Sequence, residues 1–271
     1  MRAGKASQRR SVPRWRAVAI NLSLVVGILY ALSFVPPDNS LAEVQRSGVL
    51  RVCLPETAPP LVTADAERPG YDVELLQQVA QDLGVRLAVN HNPAIGADFN
   101  PRNWRLTRAQ CQIIAGGIVN NETTRGFLQL LPTGGRNGWA RLAPIGTLAR
   151  AIDSVLVFPG PAALDRLALS RYLRIHKLSW TAADSASALQ DGNGHTNLLV
   201  SDWLTLAALD LSDHEINWLS ETELPPVPLA WGLWKGDTTL LRALQDGLNK
   251  LTISGRKNDI ASRYHLPYSA D

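Results

Sequence analysis

The side chains able to carry out chemistry in this sequence are few and widely separated. The five histidines stand at positions 91, 176, 195, 214 and 265, and no pair of them has the spacing of metal ligands. The motifs GxSxG, HExxH, GxGxxG and CxxC and the phosphate-binding P-loop are all missing from the sequence. No acid–base pair is visible. We therefore expect no metal, no cofactor and no enzymatic activity.

The two cysteines, Cys53 and Cys111, leave two interpretations open. An even number of cysteines in an exported chain makes a disulfide plausible. The alternative is a pair of unrelated buried thiols.

The basic charge of the chain is concentrated at its N-terminus. Residues 1–16 carry six basic side chains and no acidic one. The remaining 21 basic residues face 24 acidic ones, so the body of the chain is slightly acidic. A body of this charge offers no basic surface for a phosphate backbone, and we expect no nucleic-acid partner.

An uncharged apolar run of 19 residues, 17–35, follows the basic head. Positive residues before an apolar run are typical of an export signal, and the length also suits a membrane anchor. The sequence Ser40-Leu41-Ala42 would suit signal-peptidase cleavage. With either outcome, the positive-inside rule places the body in the periplasm, soluble or anchored to the cytoplasmic membrane through residues 17–35.

Residues 44–117 alternate between strand and helix patterns. We predict strands over 48–54, 85–89 and 112–115, a helix over 72–83 with one apolar face, and a short helix over 104–110. This alternation predicts an α/β fold with a mainly parallel sheet. Ligands of such sheets bind at the carboxyl ends of the strands.

The same alternation continues to the end of the chain. Strands are predicted over 154–158, within 172–180, and over 197–201 and 229–234. Helices are predicted over 181–189 with Thr181 as its cap, 202–209, 237–253 and 256–264, and a short helix or turn over 164–169.

Four segments, taken in order, carry a family resemblance. The segments are Ser47-Gly48-Val49-Leu50-Arg51-Val52 before Pro59-Pro60, then Pro69-Gly70-Tyr71-Asp72-Val73-Glu74-Leu75, then Ile113-Ile114-Ala115-Gly116-Gly117 before Thr124-Arg125, and last Gly232-Leu233-Trp234-Lys235-Gly236-Asp237. They resemble the bacterial extracellular solute-binding proteins of family 3, the periplasmic binders best known for polar amino acids. Together they span about residues 44–267.

The resemblance implies a type II periplasmic-binding fold, in which two α/β lobes close about a hinge on a small ligand. The implied division is 1–42 for the signal or anchor, 43–140 and 234–271 for the first lobe, and 146–226 for the second. The implied function is capture of an amino acid or related solute for a membrane transporter permease. An accessory or sensor protein with a periplasmic redox-enzyme partner is the alternative.

The resemblance also implies a set of ligand contacts. Arg125 would grip a carboxylate with its planar fork, and Gly117 would let the backbone approach the ligand. Asp202 would accept an ammonium group, although an aspartate there also suits a helix N-cap. Thr181 would begin a helix directed at an anionic group. Asn120 or Val119 occupies the position where the family has a ligand-binding hydroxyl.

In this fold Cys53 and Cys111 would lie on or beside neighbouring strands, so the resemblance implies a disulfide between them. A similar pair of cysteines occurs in the part of the family that is associated with periplasmic quinoprotein dehydrogenases.

Overall fold

A computed structural model describes residues 14–33, 38–95, 100–146, 154–158, 164–182, 198–209 and 213–267. The chain divides into two compact units, Met1–Asp38 and Asn39–Asp271. The first unit contains helix α1 (Arg14–Ser33), whose described side chains are exposed. Within the described ranges, no helix combines the length and apolar character needed to cross a membrane. The expected roles in export or anchoring stay predictions.

The second unit begins with helix α2 (Ser40–Ser47), strand β1 (Val49–Leu54), helix α3 (Tyr71–Asp82), strand β2 (Arg86–His91) and a 3₁₀ helix (Pro101–Trp104). Strand β3 (Ile113–Val119), helix α4 (Glu122–Phe127) and strands β4 (Leu128–Asn137), β5 (Trp139–Pro144) and β6 (Ser154–Val157) follow. The chain continues through helix α5 (Arg166–Ile175), strands β7 (Ser179–Ala182) and β8 (Leu198–Asp202), helix α6 (Trp203–Ala207) and strand β9 (His214–Trp218). Strand β10 (Val227–Trp234) and helices α7 (Thr238–Ile253) and α8 (Arg256–Arg263) complete it.

The described strands form two mixed sheets, one in each lobe. The first has the order β2-β1-β3-β10-β4, and the second has the order β7-β6-β8-β5-β9. The βαβ units pair in parallel, as the alternating pattern predicts. Strands β10, β5 and β9 pair antiparallel with their neighbours. The two-lobed α/β fold is confirmed. Its sheets are less uniformly parallel than predicted, because β5 and β10 come directly after the connections between the lobes and pair antiparallel.

The core of the first lobe lies between its sheet and helices α3 and α7. Leu76 and Val79 of α3 and Leu244 and Leu248 of α7 are buried, which matches their helical spacing in the sequence. Gly247 brings the two helices close together, since a Cβ atom at this position would lie 3.0 Å from Cγ1 of Val79.

The chain passes between the lobes at a point of close packing around Gly138. A Cβ atom on Gly138 would lie 2.9 Å from Cα of Pro226, which belongs to the second connection between the lobes. Asn137, on one side of Gly138, is 2% exposed. Strand β5 starts at Trp139 and pairs within the second sheet, so the chain leaves the first sheet between Asn137 and Trp139. The residue limits of the lobes stay a prediction.

Several predicted elements differ from the structure. The short helix expected over 104–110 is replaced by the 3₁₀ helix that ends at Trp104. Helix α5 is longer than expected and takes up the start of the strand predicted within 172–180, because Leu169 and Leu173 bury one helical face and Asp165 caps it through its side chain. Thr181 lies in strand β7, so a helix starting there was a wrong prediction. Helix α2 and strands β4, β5 and β9 were not anticipated.

The disulfide between Cys53 and Cys111 is confirmed. Strand β1 pairs with β3, and Cys111 stands two residues before β3, so the two Cα atoms lie 5.6 Å apart. The backbone around the bridge is also tied together, because Arg51 N donates to Oε1 of Gln112 over 2.8 Å and Gln112 N donates to Arg51 O over 2.9 Å.

Removal of this bridge is expected to weaken the fold. The bridged cysteines are 58 residues apart, and closing a loop of that length stabilises the folded state by about 4 kcal/mol in the chain-entropy model. We expect Cys53→Ser/Cys111→Ser to lower the free energy of unfolding in urea by an amount of this order. Wild-type protein under reducing conditions is the matched control and should show the same loss. Equal stability of the variant and the oxidised wild type would contradict the role assigned to the bridge.

Candidate functional site

The candidate site lies in the first lobe where strands β1 and β3 end, the edge at which ligands of parallel sheets bind. Two successive glycines, Gly116 and Gly117, shape β3 here with φ values of +90° and +98°. A Cβ atom on Gly116 would lie 2.4 Å from Cδ of Pro55, and a Cβ atom on Gly117 would lie 3.4 Å from Cδ1 of Leu61. Both the backbone conformation and the close packing against the loop after β1 require glycine at position 116.

Asp72 holds the two glycines of β3 in place. It is the second residue of α3, is 3% exposed, and accepts hydrogen bonds from Gly116 N over 2.8 Å and from Nε1 of Trp231 over 3.2 Å. Burial raises the pKa of Asp72 from 3.8 to about 6, against the opposing effect of its donors, which include the backbone of Gly117. The carboxyl group therefore joins α3, β3 and β10 at the candidate site.

Arg125 and Asn120 follow Gly116 and Gly117 in the chain and lie on either side of the start of α4. Asn121 caps this helix by accepting a hydrogen bond from Thr124 N over 2.9 Å. Arg125 is exposed, and its Nε atom donates to Asn121 O over 3.2 Å. The Oδ1 atom of Asn120 is buried and accepts no hydrogen bond within the described part of the chain.

Asp202 ends β8 in the second lobe and is 2% exposed. Its Oδ1 atom accepts from Thr205 N and from Nδ2 of Asn137, both over 3.2 Å, and its Oδ2 atom accepts from Oγ1 of Thr205 over 2.5 Å. The N-cap alternative is thus found, because Asp202 caps helix α6. Its predicted contact with a ligand ammonium stays a prediction, and three protein donors already occupy the carboxylate.

Helix α6 connects the two lobes through Asn137, the last residue of β4. Oδ1 of Asn137 accepts from Gly138 N over 3.0 Å and from Leu204 N over 3.2 Å. Leu204 packs against the core of the first lobe, and Nε1 of Trp203 donates to His265 O over 2.9 Å. The start of α6 is therefore in direct contact with the first lobe.

The structure brings some of the predicted residues together and leaves others apart. Gly117 lies in β3, where its backbone donates to Asp72, and Asp202 is hydrogen-bonded to Asn137 and Thr205. Within the described residues, no hydrogen bond or ion pair joins Arg125 to Asp202. Thr181 is exposed on β7, where it pairs with Leu156. The expected ligand contacts of Arg125, Asn120, Gly117, Asp202 and Thr181 stay predictions.

Asp72 and Asn137 were not predicted to be important residues. Asp72 belongs to the segment Pro69-Gly70-Tyr71-Asp72, which carries the family resemblance, and its position at the start of a helix was the available signal. Asn137 gave no signal, because its partners Leu204 and Asp202 are distant in sequence and meet it only where the chain crosses between the lobes.

Two cavities adjoin this region. The larger, of about 530 Å³, lies at the carboxyl ends of β1 and β2 and is lined by residues that include Leu54, Glu56 and His91. The smaller, of about 210 Å³, is lined by residues of both lobes, which include Pro60 and Tyr264 of the first lobe, Ala207 at the end of α6, and Ala208.

The raised pKa of Asp72 predicts a specific dependence of stability on pH. A carboxyl group whose pKa is higher in the folded state binds its proton more tightly there, so its contribution to stability is complete below pH 4 and is lost as the pH rises through 6. A rise from 3.8 to about 6 corresponds to about 3 kcal/mol.

We therefore expect wild-type protein to lose about 2 kcal/mol of unfolding free energy relative to Asp72→Asn between pH 4 and pH 6.5. Urea unfolding of both proteins across this range measures the difference. The variant loses hydrogen-bond acceptors at every pH, which adds a constant offset and leaves the slope interpretable. Parallel pH profiles for the two proteins would show that Asp72 does not carry this proton.

The proteins similar to this chain in sequence and those similar in structure have different names. No family model matches the chain. Among curated proteins, the membrane-bound lytic murein transglycosylase F of Cronobacter sakazakii is 25% identical over 269 residues, which cover 89% of this chain and 49% of the relative. The chain thus spans about half the length of the curated relatives it matches.

The similar solved structures include amino-acid-binding proteins and an ancestral cyclohexadienyl dehydratase, which is 14% identical with a TM-score of 0.59. An ancestral cationic amino acid solute-binding protein is 17% identical, with a TM-score of 0.66 over 83% of this chain and 99% of the other. A polar amino acid ABC uptake transporter substrate-binding protein from Streptococcus thermophilus is 14% identical, with a TM-score of 0.66 over 84% of this chain and 89% of the other. The chain has the two-lobed α/β fold of solute-binding proteins of the polar amino-acid type.

Proposed function

We propose that the chain is an exported solute-binding protein that captures an amino acid or related organic solute between its two lobes and delivers it to a membrane transporter. The observation that carries this proposal is the cavity whose walls come from both lobes. Opening and closing of the lobes would change such a cavity directly, and hinge closure is a common way to trap a ligand.

The ligand contacts are proposed as follows. Arg125 takes a carboxylate of the ligand, since its side chain is exposed and a guanidinium pairs with a carboxylate bidentately. Asn120 supplies a buried acceptor, its Oδ1 atom, that has no protein donor in the described chain. Gly117 lets the backbone approach the ligand closely. Asp202 and Thr181 contact the ligand from the second lobe.

Export to the periplasm rests on two observations. The basic head and the apolar run 17–35 have the order of an export signal. The Cys53–Cys111 disulfide suits an oxidising compartment. Cleavage of the segment would give a soluble periplasmic protein, and retention would give one tethered to the membrane.

The names of the similar structures agree with a transport function. One is a solute-binding protein for cationic amino acids, and another is the substrate-binding protein of an ABC uptake transporter. We extend these roles to the present chain as a proposal, with a transporter permease as its membrane partner.

A second candidate is an accessory or sensor protein that keeps this fold and binds another periplasmic protein, such as a redox enzyme. The occupied carboxylate of Asp202 favours it, because the residue expected to bind an ammonium group already accepts three hydrogen bonds. The sequence relatives are named as enzymes, but the chain covers about half their length, and their activity is not proposed for it.

A thermal-shift screen of the full chain against amino acids and organic acids tests the proposed function. A ligand at 100 times its Kd stabilises the folded state by about 2.7 kcal/mol, so at least one solute should raise the melting temperature by several degrees.

The variant Arg125→Ala should reduce that shift strongly, because it removes the proposed carboxylate contact. Arg242→Ala, which truncates an exposed arginine on α7, is the matched control and should leave the shift unchanged. No stabilisation by any solute would contradict the transport function and favour the accessory protein.

A further inference from the structure

Helix α5 and the two residues after it carry a cluster of positive charge on the second lobe. Residues 166–177 contain Arg166, Arg171, Arg174 and Lys177 and no acidic residue, although the body of the chain is slightly acidic. All four side chains are exposed. Within the described ranges, none of the four forms an ion pair. Their positive charge is therefore available to an anionic partner.

Two acidic residues in contact with this segment have partners other than its four cations. Asp165 is the N-cap of α5, and its Oδ1 atom accepts from Leu167 N over 2.8 Å and from Ala168 N over 3.0 Å. Oε2 of Glu223 lies 2.7 Å from Nε2 of His176, the residue that follows α5. Neither carboxylate neutralises the exposed arginines.

The outward side of α5 also exposes large apolar side chains. Leu167 is 77% exposed and Ile175 is 64% exposed. At 3.6 residues per turn, these two residues and Arg171 and Arg174 fall within about 100° of arc, away from the buried stripe that packs on the second sheet. We call these four residues the basic-apolar face of α5.

Trp180 extends this exposed apolar surface onto a neighbouring strand. It is 52% exposed on β7, an edge strand of the second sheet. It lines a cavity of about 140 Å³ together with Arg166, so the indole ring lies near the first turn of α5. Tryptophan is enriched where proteins meet the boundary of a bilayer, because its ring is apolar and its N–H group is polar.

We propose that the basic-apolar face of α5, together with Trp180, docks on the surface of a membrane that contains anionic phospholipids. The arginines meet the phosphate headgroups, while Leu167, Ile175 and Trp180 enter the boundary of the acyl chains. An acidic protein would match the cations alone. Exposed aliphatic and indole side chains interleaved with the cations match a lipid interface better. This contact is separate from any attachment through residues 17–35 and does not depend on solute binding.

A fluorescent reporter on α5 tests the contact in the full chain. Leu167→Cys can be labelled selectively with nitrobenzoxadiazole, because Cys53 and Cys111 are joined in a disulfide. Equimolar vesicles of phosphatidylglycerol and phosphatidylcholine should shift its emission to shorter wavelengths, and lipid-borne quenchers should reduce it. The same label at Ile253→Cys, an exposed aliphatic position on α7 in the first lobe, is the matched control and should show neither change.

Removal of charge tests which cations carry the contact. With the reporter at 167, Arg171→Gln/Arg174→Gln should lower the ratio of lipid-contacting to aqueous label about 25-fold, since each cation at an anionic surface contributes about fivefold. Fluorescence lifetimes measure this ratio. Arg242→Gln/Lys250→Gln removes two exposed cations from α7 and should leave the ratio unchanged. Both double variants change the net charge equally, so general attraction to the vesicle cancels in the comparison.

Three results would overturn the proposal. A reporter at 167 that does not respond to anionic vesicles would exclude the lipid surface and favour an acidic protein as the partner of this face. An equal response to vesicles of phosphatidylcholine alone, or an equal loss in the α7 double variant, would show that these cations do not recognise the membrane. An equal response of the label at 253 would show that α5 is not the docking face. Each of these results leaves the proposed solute binding untouched, because the thermal-shift screen measures that function separately.

Discussion

The buried carboxyl group of Asp72 is the constraint on which the rest of the site depends. It accepts hydrogen bonds from Gly116 and Trp231, so one side chain sets the relative positions of α3, β3 and β10. The part of β3 that it holds has two successive residues, Gly116 and Gly117, with positive φ, which only glycine adopts without strain. The loop after β1 packs on these glycines through Pro55 and Leu61 and then carries residues that line both cavities.

A second buried polar cluster fixes the connection between the lobes. Asn137 bonds to Gly138, Leu204 and Asp202, so the end of β4 and the start of α6 form one unit. Leu204 and Trp203 then contact the first lobe. Movement of the lobes that separates these residues would break the cluster. Breaking it is costly, because Asn137 and Asp202 are each 2% exposed and would lose buried hydrogen bonds.

Much of the fold is predictable from local pattern in the sequence. Helices α3 and α7 follow from their apolar stripes, and β1, β3 and β10 from short apolar runs beside glycine or proline. Strands β4 and β5 escaped prediction because they meet at a lobe crossing, where the chain leaves one sheet for another without a long loop. Thr181 was misplaced because a threonine suits both a strand and a helix cap.

The strand that carries Gly116 and Gly117 was predictable from the sequence, but its extension past these glycines to Val119 and the electrostatics of the candidate site were not. The raised pKa of Asp72 depends on burial by segments far apart in the chain, and the occupancy of Asp202 depends on Asn137, 65 residues away. Local sequence carries none of this information, because each feature arises from tertiary contact.

The arrangement of α3, β3 and β10 depends on the buried carboxyl group of Asp72, which we expect to bind its proton up to about pH 6. A carbon-13 NMR titration that follows the Cγ resonance of Asp72, assigned by comparison with the asparagine variant, tests it most directly. The account predicts a midpoint near pH 6. A midpoint at or below the ordinary aspartate value of about 3.9 would contradict it.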